Sequence, residues 1–345
     1  MNQAKSATQV SPWMGGHSAL VAHPDQLAGT RLCRVVGGSG DGSLILTVWT
    51  PSGLELDLQV DRALDIMSIR NRGTRFGWAG PPGLSPRSTY EPAGFGWQRS
   101  FYGGLLTTCG LEHVGDPVGD VPSEQLTPRA RSVSYGEHGR ISHAPAEIIE
   151  RTIDGFRGNI RVRGVIRQGA IYDERFELVR TIDVSMEHPI VTITDVVRNT
   201  GPLPARHAIL YHLNFGFPIA CAQAVVKAGA HEHEFPVPTP DAPELVEWWE
   251  LQPDCHGNRT VVVESPSGAE LVKCVQSGSL PHFFLWSAPR ARTNVIGLAP
   301  CSSAMDGTVD HLDPDEERTY RIHLELGTFP SIGSSPEDVN DAAIR

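Results

Sequence analysis

Tyr320-Arg321-Ile322-His323-Leu324-Glu325-Leu326 decides the fold class. Tyr320, Ile322, Leu324 and Leu326 fall on one side of an extended chain, and Arg321, His323 and Glu325 on the other. That twofold alternation predicts a strand with one face buried. The same signal recurs upstream. Ile160-Arg161-Val162-Arg163-Gly164-Val165 alternates, as does Leu54 to Val60, and Ser43 to Thr50 reads as a strand behind the turn-like Gly37 to Gly42. Pro189 to Val197 is β-branched nearly throughout. The 35 glycines and 27 prolines supply the turns between these runs. Helix patterns are scarce. Pro243 to Leu251, with Asp241 as cap, predicts one short surface helix. With no helix between successive strands, a doubly wound sheet is disfavoured and an all-β protein expected.

Composition bounds the function classes. The 345 residues suffice for two domains, yet nothing like a linker divides them. We expect an N-terminal extension over residues 1–26, one β-sandwich domain over 27–329 and a tail over 330–345. Asp+Glu 40 outnumber Lys+Arg 29, a formal net charge of -11. That disfavours nucleic acid and anionic membrane surfaces as partners. No apolar run has the length of a membrane span, and Met1 to Ser6 is followed by no apolar signal region, so a cytoplasmic location is expected. The six cysteines are scattered with no C-x-x-C pair, which suggests reduced thiols rather than zinc or redox chemistry.

Two polar signatures interrupt the β pattern. Tyr211-His212-Leu213-Asn214-Phe215-Gly216-Phe217-Pro218 follows the apolar Ala208-Ile209-Leu210. It reads as a buried strand that delivers a His and an Asn to a site before a turn. His138-Gly139-Arg140-Ile141-Ser142 is the second. A histidine exchanges protons near neutral pH, so His138 and His212 are candidate catalytic groups for a polar substrate such as a sugar. On local pattern alone, a histidine in a strand reads first as a hydrogen-bonded core residue. The long, turn-rich stretch from Asn71 to Asp120 is expected to be functional, its Trp, Tyr and Phe either stacking on sugar rings or plugging one end of a sandwich. His231-Glu232-His233-Glu234 begins like a cupin metal motif, but Val237 stands where the later carboxylate belongs. A solvated polar turn is the expectation there, and no metal or cofactor is expected. No G-x-S-x-G elbow, P-loop or dinucleotide-binding glycine pattern is present.

In this order the segments resemble the galactose mutarotase (aldose 1-epimerase) superfamily, within an aldose 1-epimerase-like branch. The segments are Asp61-Arg62-Ala63-Leu64-Asp65-Ile66, Phe101 to Leu111, His138-Gly139-Arg140, Tyr211 to Gly216, Phe283-Phe284-Leu285-Trp286 with Val295 to Pro300, and Asp313 to Glu317. The resemblance spans roughly residues 30 to 328. It implies a β-supersandwich of stacked antiparallel sheets with few short helices and a sugar site on a concave face. It implies His138 and His212 as catalytic, with Arg62, Arg140 and Asn214 binding hydroxyls and Trp286 stacking on the ring. One departure matters: where the family carries a catalytic Glu just before a Pro, this chain has Ala299. Glu112, Glu247, Glu250 and Asp306 are candidate replacements. Three readings stay open: an isomerase or epimerase of an aldose or modified sugar, a lyase or hydrolase of an oxidised glycoside, and a carbohydrate-binding protein without catalysis.

Overall fold

In a computed structural model, residues 20–328 are described except 128, 129, 156, 173, 305–307 and 309. The expected terminal segments, residues 1–26 and 330–345, therefore lie mostly outside the described residues, as does Asp306. The architecture is antiparallel strands throughout. One sheet joins Gly29–Arg34, Leu44–Trp49, Leu54–Gln59, Asp65–Asn71 and Thr74–Arg75 in chain order. A nine-stranded sheet is centred on Arg175–Ser185, Ile190–Asn199 and Glu317–Leu326. A third runs Leu245–Trp249, His282–Ala288, Val295–Cys301, Ala205–Phe215 and Asp310–Leu312, with Leu106–Leu111 also paired to Ala205–Phe215. Among the described residues helix is confined to four short 3-10 turns, none of them long and apolar enough to cross a membrane.

Alternation builds the core. Phe176, Leu178, Ile182 and Val184 point inward from one strand and Val191, Ile193 and Val197 from the next. Tyr320, Ile322, Leu324 and Leu326 do the same from Glu317–Leu326. Packed against the other two sheets they form one continuous apolar core, whose burial is the main source of stability.

Two charged residues share that inward face. Arg180 and Asp195 are opposite each other in adjacent strands and fully buried. The Arg180 guanidinium donates to Asp195 through Nε (3.0 Å) and Nη2 (2.6 Å), to Asp65 Oδ1 (2.6 Å) and to Thr108 Oγ1 (2.7 Å). Tyr211 OH donates to Asp195 Oδ2 at 2.7 Å. Asp65 belongs to the five-stranded sheet, Thr108 and Tyr211 to the third, so this cluster pins all three sheets together. Burial works against the charge on Arg180, but the two carboxylates outweigh it and hold the guanidinium well above its ordinary pKa.

Three local expectations are corrected. Pro243 to Leu251 is no helix: Leu245–Trp249 is an edge strand paired to His282–Ala288, with Asp241 accepting from Thr239 Oγ1 instead of capping. Val246, Trp248 and Trp249 fit a pleated surface, and the open sheet edge supplies the backbone partners. His231–Glu234 is an edge strand paired to Val225–Ala228, not a polar turn. Within the turn-rich 71–120 region, Leu106–Leu111 is a wholly buried strand beside the one carrying His212.

Candidate functional site

The third sheet presents its cavity face as two rows of side chains. In the register between Ala205–Phe215 and Val295–Cys301, Leu213 faces Leu298 and Leu210 faces Cys301, which sets His212 opposite Ala299. Thr107 flanks His212 on its other side, and Phe284 flanks Ala299. Two residues along, Asn214 faces Gly297, and Gly297 faces Trp286. The alternation that aims His212 into the cavity sends Tyr211 into the Arg180 cluster. One strand thus carries an anchor and a functional group on opposite faces.

His138 arrives from a tight turn. Its φ is +58°, and Gly139 follows at +69°. A Cβ at Gly139 would meet Gly110 O at 2.4 Å and His113 O at 2.7 Å, so glycine is required there. Such a backbone is costly for a side-chain-bearing residue, and strain of this kind gathers at functional sites. The turn is held by Gly110 N–H donating to His138 O at 2.9 Å and by His138 N–H donating to Gly115 O at 3.0 Å.

The sequence-predicted histidines meet. The imidazoles of His138 and His212 lie edge to face with centroids 5.8 Å apart. Both line a cavity of about 930 Å³, open on one side, with Trp78, Trp97, Phe101, Phe284, Trp286 and Ala299 among its walls. Trp97 meets the His138 ring at 4.7 Å, and Phe101 and Trp286 each stand 5.2 Å from that of His212. Trp78, Trp97 and Phe101 of the 71–120 region thus line the cavity and are themselves buried. Apolar surroundings penalise a charged imidazole: burial pushes His138 down to about 3, with His212 adding to the effect, and His212 down to about 4. Both are neutral at physiological pH.

The other predicted residues divide. Trp286 is in the wall, its indole N–H donating to Glu244 Oε1 at 2.6 Å. Asn214 is fully buried behind His212: its Oδ1 lies 2.5 Å from His212 Nδ1, and its Nδ2 donates to His212 O at 2.9 Å. Arg62 does not line the cavity. Its guanidinium is buried, donating to Ser142 O at 3.0 Å and Ser100 O at 2.9 Å, over the face of Tyr102. Arg140 is also outside the lining. It binds Glu112 at 3.2 Å and Glu174. In this structure the Arg62 guanidinium, Arg140 Nε and Nη2, and the Asn214 amide are engaged by the protein.

No carboxylate has replaced the side chain at position 299, but carboxylates reach the cavity from elsewhere. Glu112 lines it, yet is bonded to Arg140 and to Gln168 Nε2 at 2.5 Å. Glu247 accepts from the Trp249 indole at 3.0 Å and, like Glu250, is absent from the lining. Sequence reasoning missed Glu137, the residue before His138. It lines the cavity, accepts from Gln98 Nε2 at 3.0 Å through Oε1, and keeps Oε2 buried with no hydrogen-bond partner. Desolvation raises its pKa above the usual carboxylate range. Its adjacency to the His-Gly pair was the available signal. Among the described residues no cluster of three metal-ligating side chains occurs.

The stacked antiparallel sheets have the galactose mutarotase-like sandwich fold. Within that class the chain belongs to the family described as Domain of unknown function (DUF4432), whose model matches residues 40–326. Similar solved structures include a candidate aldose 1-epimerase from Klebsiella pneumoniae, 20% identical, with a TM-score of 0.77 over 92% of this chain and 91% of that one. A galactose mutarotase-like protein from Clostridium acetobutylicum is 12% identical, with a TM-score of 0.57 over 88% of this chain and 100% of its own. A candidate aldose 1-epimerase from Escherichia coli K12 is 14% identical, with a TM-score of 0.56 over 87% and 100%. At such identities the likeness is one of fold. No curated protein matches the chain.

Proposed function

We propose that this protein is a carbohydrate-active isomerase of the aldose 1-epimerase type, acting on an aldose or a modified sugar by histidine-mediated proton transfer. The observation that carries the reading is the meeting of His138 and His212 at 5.8 Å on one aromatic-walled cavity. Opening a sugar ring requires a proton to leave the anomeric hydroxyl and another to reach the ring oxygen. Two imidazoles flanking one substrate suit that exchange. Trp286, Trp97 and Phe101 offer flat apolar faces to the C–H surface of a pyranose, and Glu244 offers an acceptor for its hydroxyls. The cavity has room for a sugar larger than a simple hexose.

The experiment is polarimetry, backed by one-dimensional NMR of the anomeric protons, on freshly dissolved α-anomers of neutral, acidic and phosphorylated aldoses. Catalysed approach to anomeric equilibrium on one of them supports the reading, and its loss in His138→Ala and His212→Ala assigns it to this site. Ala299 favours a second reading, because the carboxylate that the resemblance places there is gone. In it the same cavity takes an oxidised glycoside and abstracts a proton beside its carbonyl. Elimination product from a 3-keto-glycoside, with no mutarotation of any aldose, would select that reading.

A further inference from the structure

We infer that the two histidines are locked in opposite tautomers, so that His212 is the base which carries the proton and His138 is a fixed N–H donor to the ring oxygen. This rests on the isomerase reading and deepens it.

The assignment follows from hydrogen-bond partners. His138 Nδ1 receives the backbone N–H of Gly115 at 3.2 Å. A backbone N–H can only donate, so Nδ1 bears no hydrogen, and a neutral ring must then carry its hydrogen on Nε2. His212 is the reverse. Asn214 donates its NH2 group to His212 O, which turns its carbonyl oxygen towards His212 Nδ1. Rotating the amide would set two oxygens against each other and an NH2 against the ring, so the network itself fixes the amide. Facing an acceptor, Nδ1 of His212 carries the hydrogen, and Nε2 keeps its lone pair. The cavity is therefore offered one N–H and one lone pair from a matched pair of neutral rings.

The chemistry divides accordingly. The anomeric O1–H bond breaks as its proton joins His212 Nε2. The O1 electrons form C1=O, and the C1–O5 bond breaks with its pair passing to O5. His138 Nε2–H hydrogen-bonds the charge growing on O5; surrendering that hydrogen would leave an imidazolate, so it stabilises without transferring. The His212 imidazolium then delivers its proton to O5. Rotation about C1–C2 and the reverse sequence close the ring on the other face. Opening moves one proton from O1 to O5 and closing returns it to the oxygen on C1, so nothing is consumed. Ala299, directly opposite His212, leaves the base position to the imidazole and removes a carboxylate that would hold the ring protonated. Asn214 is a positioning residue: it acts on substrate only through the His212 tautomer.

The test has two arms. In 15N-histidine-labelled wild-type protein at neutral pH, long-range 1H–15N correlation should show His212 as Nδ1–H and His138 as Nε2–H. The opposite pattern, or an imidazolium at either site, overturns the inference whatever the protein does to sugars. On an aldose that the wild type turns over, His212→Gln should lose ~10²–10⁴-fold in kcat/KM, the usual worth of a general base. His138→Gln, whose amide keeps an N–H donor, should lose at least tenfold less. Asn214→Asp should raise the pH of the acid limb of the kcat/KM profile, since a carboxylate beside Nδ1 favours the charged ring; a purely structural Asn214 would leave the limb in place. Equal or reversed losses overturn the division of roles. An absence of turnover on every aldose sinks the isomerase reading and the catalytic roles with it, and the NMR pattern tells that failure from a wrong tautomer.

Discussion

Replacing Arg180 with methionine removes the cation from a site that holds two buried carboxylates. Arg180 is fully buried, Asp195 is fully buried and Asp65 is 3% exposed, so water cannot take the guanidinium's place. After substitution Asp65 retains the Thr108 N–H at 2.9 Å and its hydroxyl at 2.6 Å, and Asp195 retains the Tyr211 hydroxyl. Two negative charges then share a dry space without a counter-ion. Breaking a buried pair by removing one partner costs about 3–5 kcal/mol. With an unfolding entropy of about 2.1 cal/mol/K per residue over roughly 300 folded residues, that loss lowers Tm by about 5–8 °C. Urea denaturation followed by tryptophan fluorescence, together with calorimetry, measures both. The sign of the pH dependence is fixed as well. Orphaned carboxyls are buried more easily neutral, so the variant's native state binds more protons than its unfolded chain. Its deficit should then grow as pH rises from about 5 to 8. A variant within about 0.5 kcal/mol of wild type, or a deficit independent of pH, would refute the view that this cluster clamps the three sheets.

Other outcomes rest on the same geometry. His143 is buried between Ser142 Oγ at 3.0 Å and Ser100 Oγ at 2.9 Å, and desolvation lowers it to about 2. The unfolded chain therefore takes up that proton first, and stability falls as pH drops below about 6.5. His143→Gln should remove up to about 1.4 kcal/mol per pH unit of that slope between about pH 6.5 and the folded-state value of about 2, read from urea midpoints across as much of that range as the fold survives. Ala299→Glu places a carboxylate across from His212 and should raise its pKa from about 4, visible as an upward shift of the imidazole titration by NMR; an unmoved titration means the new side chain does not reach the ring. In the His212→Gln background, Ala299→Glu should recover at least part of the lost mutarotation, measured by polarimetry. Trp286→Ala removes a stacking wall and the Glu244 contact, a loss of about 0.5–1.5 kcal/mol that should appear as a roughly 2–10-fold rise in KM with kcat nearly kept.

Half-buried strands were the most legible part of the chain. Ile160 to Val165, Ile190 to Val197 and Tyr320 to Leu326 alternate because one face of each is buried, and each is a strand in register. His138 and His212 were legible because the His-Gly turn and the Tyr-His-x-Asn strand each set a polar group against an apolar background. Leu245–Trp249 was not, since an edge strand has one covered face at most and its exposed residues blur the alternation. Arg180 sits in phase with Phe176, Leu178, Ile182 and Val184, so its burial could be read from the pattern, but its partners come from strands far away in sequence. The position of Arg62 was hidden for a related reason: a chain read one residue at a time does not reveal that Ser100 O and Ser142 O hold the guanidinium.

Gly297 has a meaning for how such proteins can diverge. It stands between Asn214 and Trp286 in the sheet, and a Cβ there would lie 2.9 Å from Trp286 Cβ and 3.4 Å from His212 Cε1. Even an alanine would push against Trp286 and touch the imidazole. Mutation at this spot therefore disturbs the Trp286 wall beside His212 directly. In the isomerase reading, relatives that take a different sugar would change through residues exchangeable without touching His138 and His212, and Pro81, Pro82, Asp116 and Glu244, supplied to the cavity by loops, are such residues. Substrate choice is thereby free to drift at the rim while the central strands stay fixed.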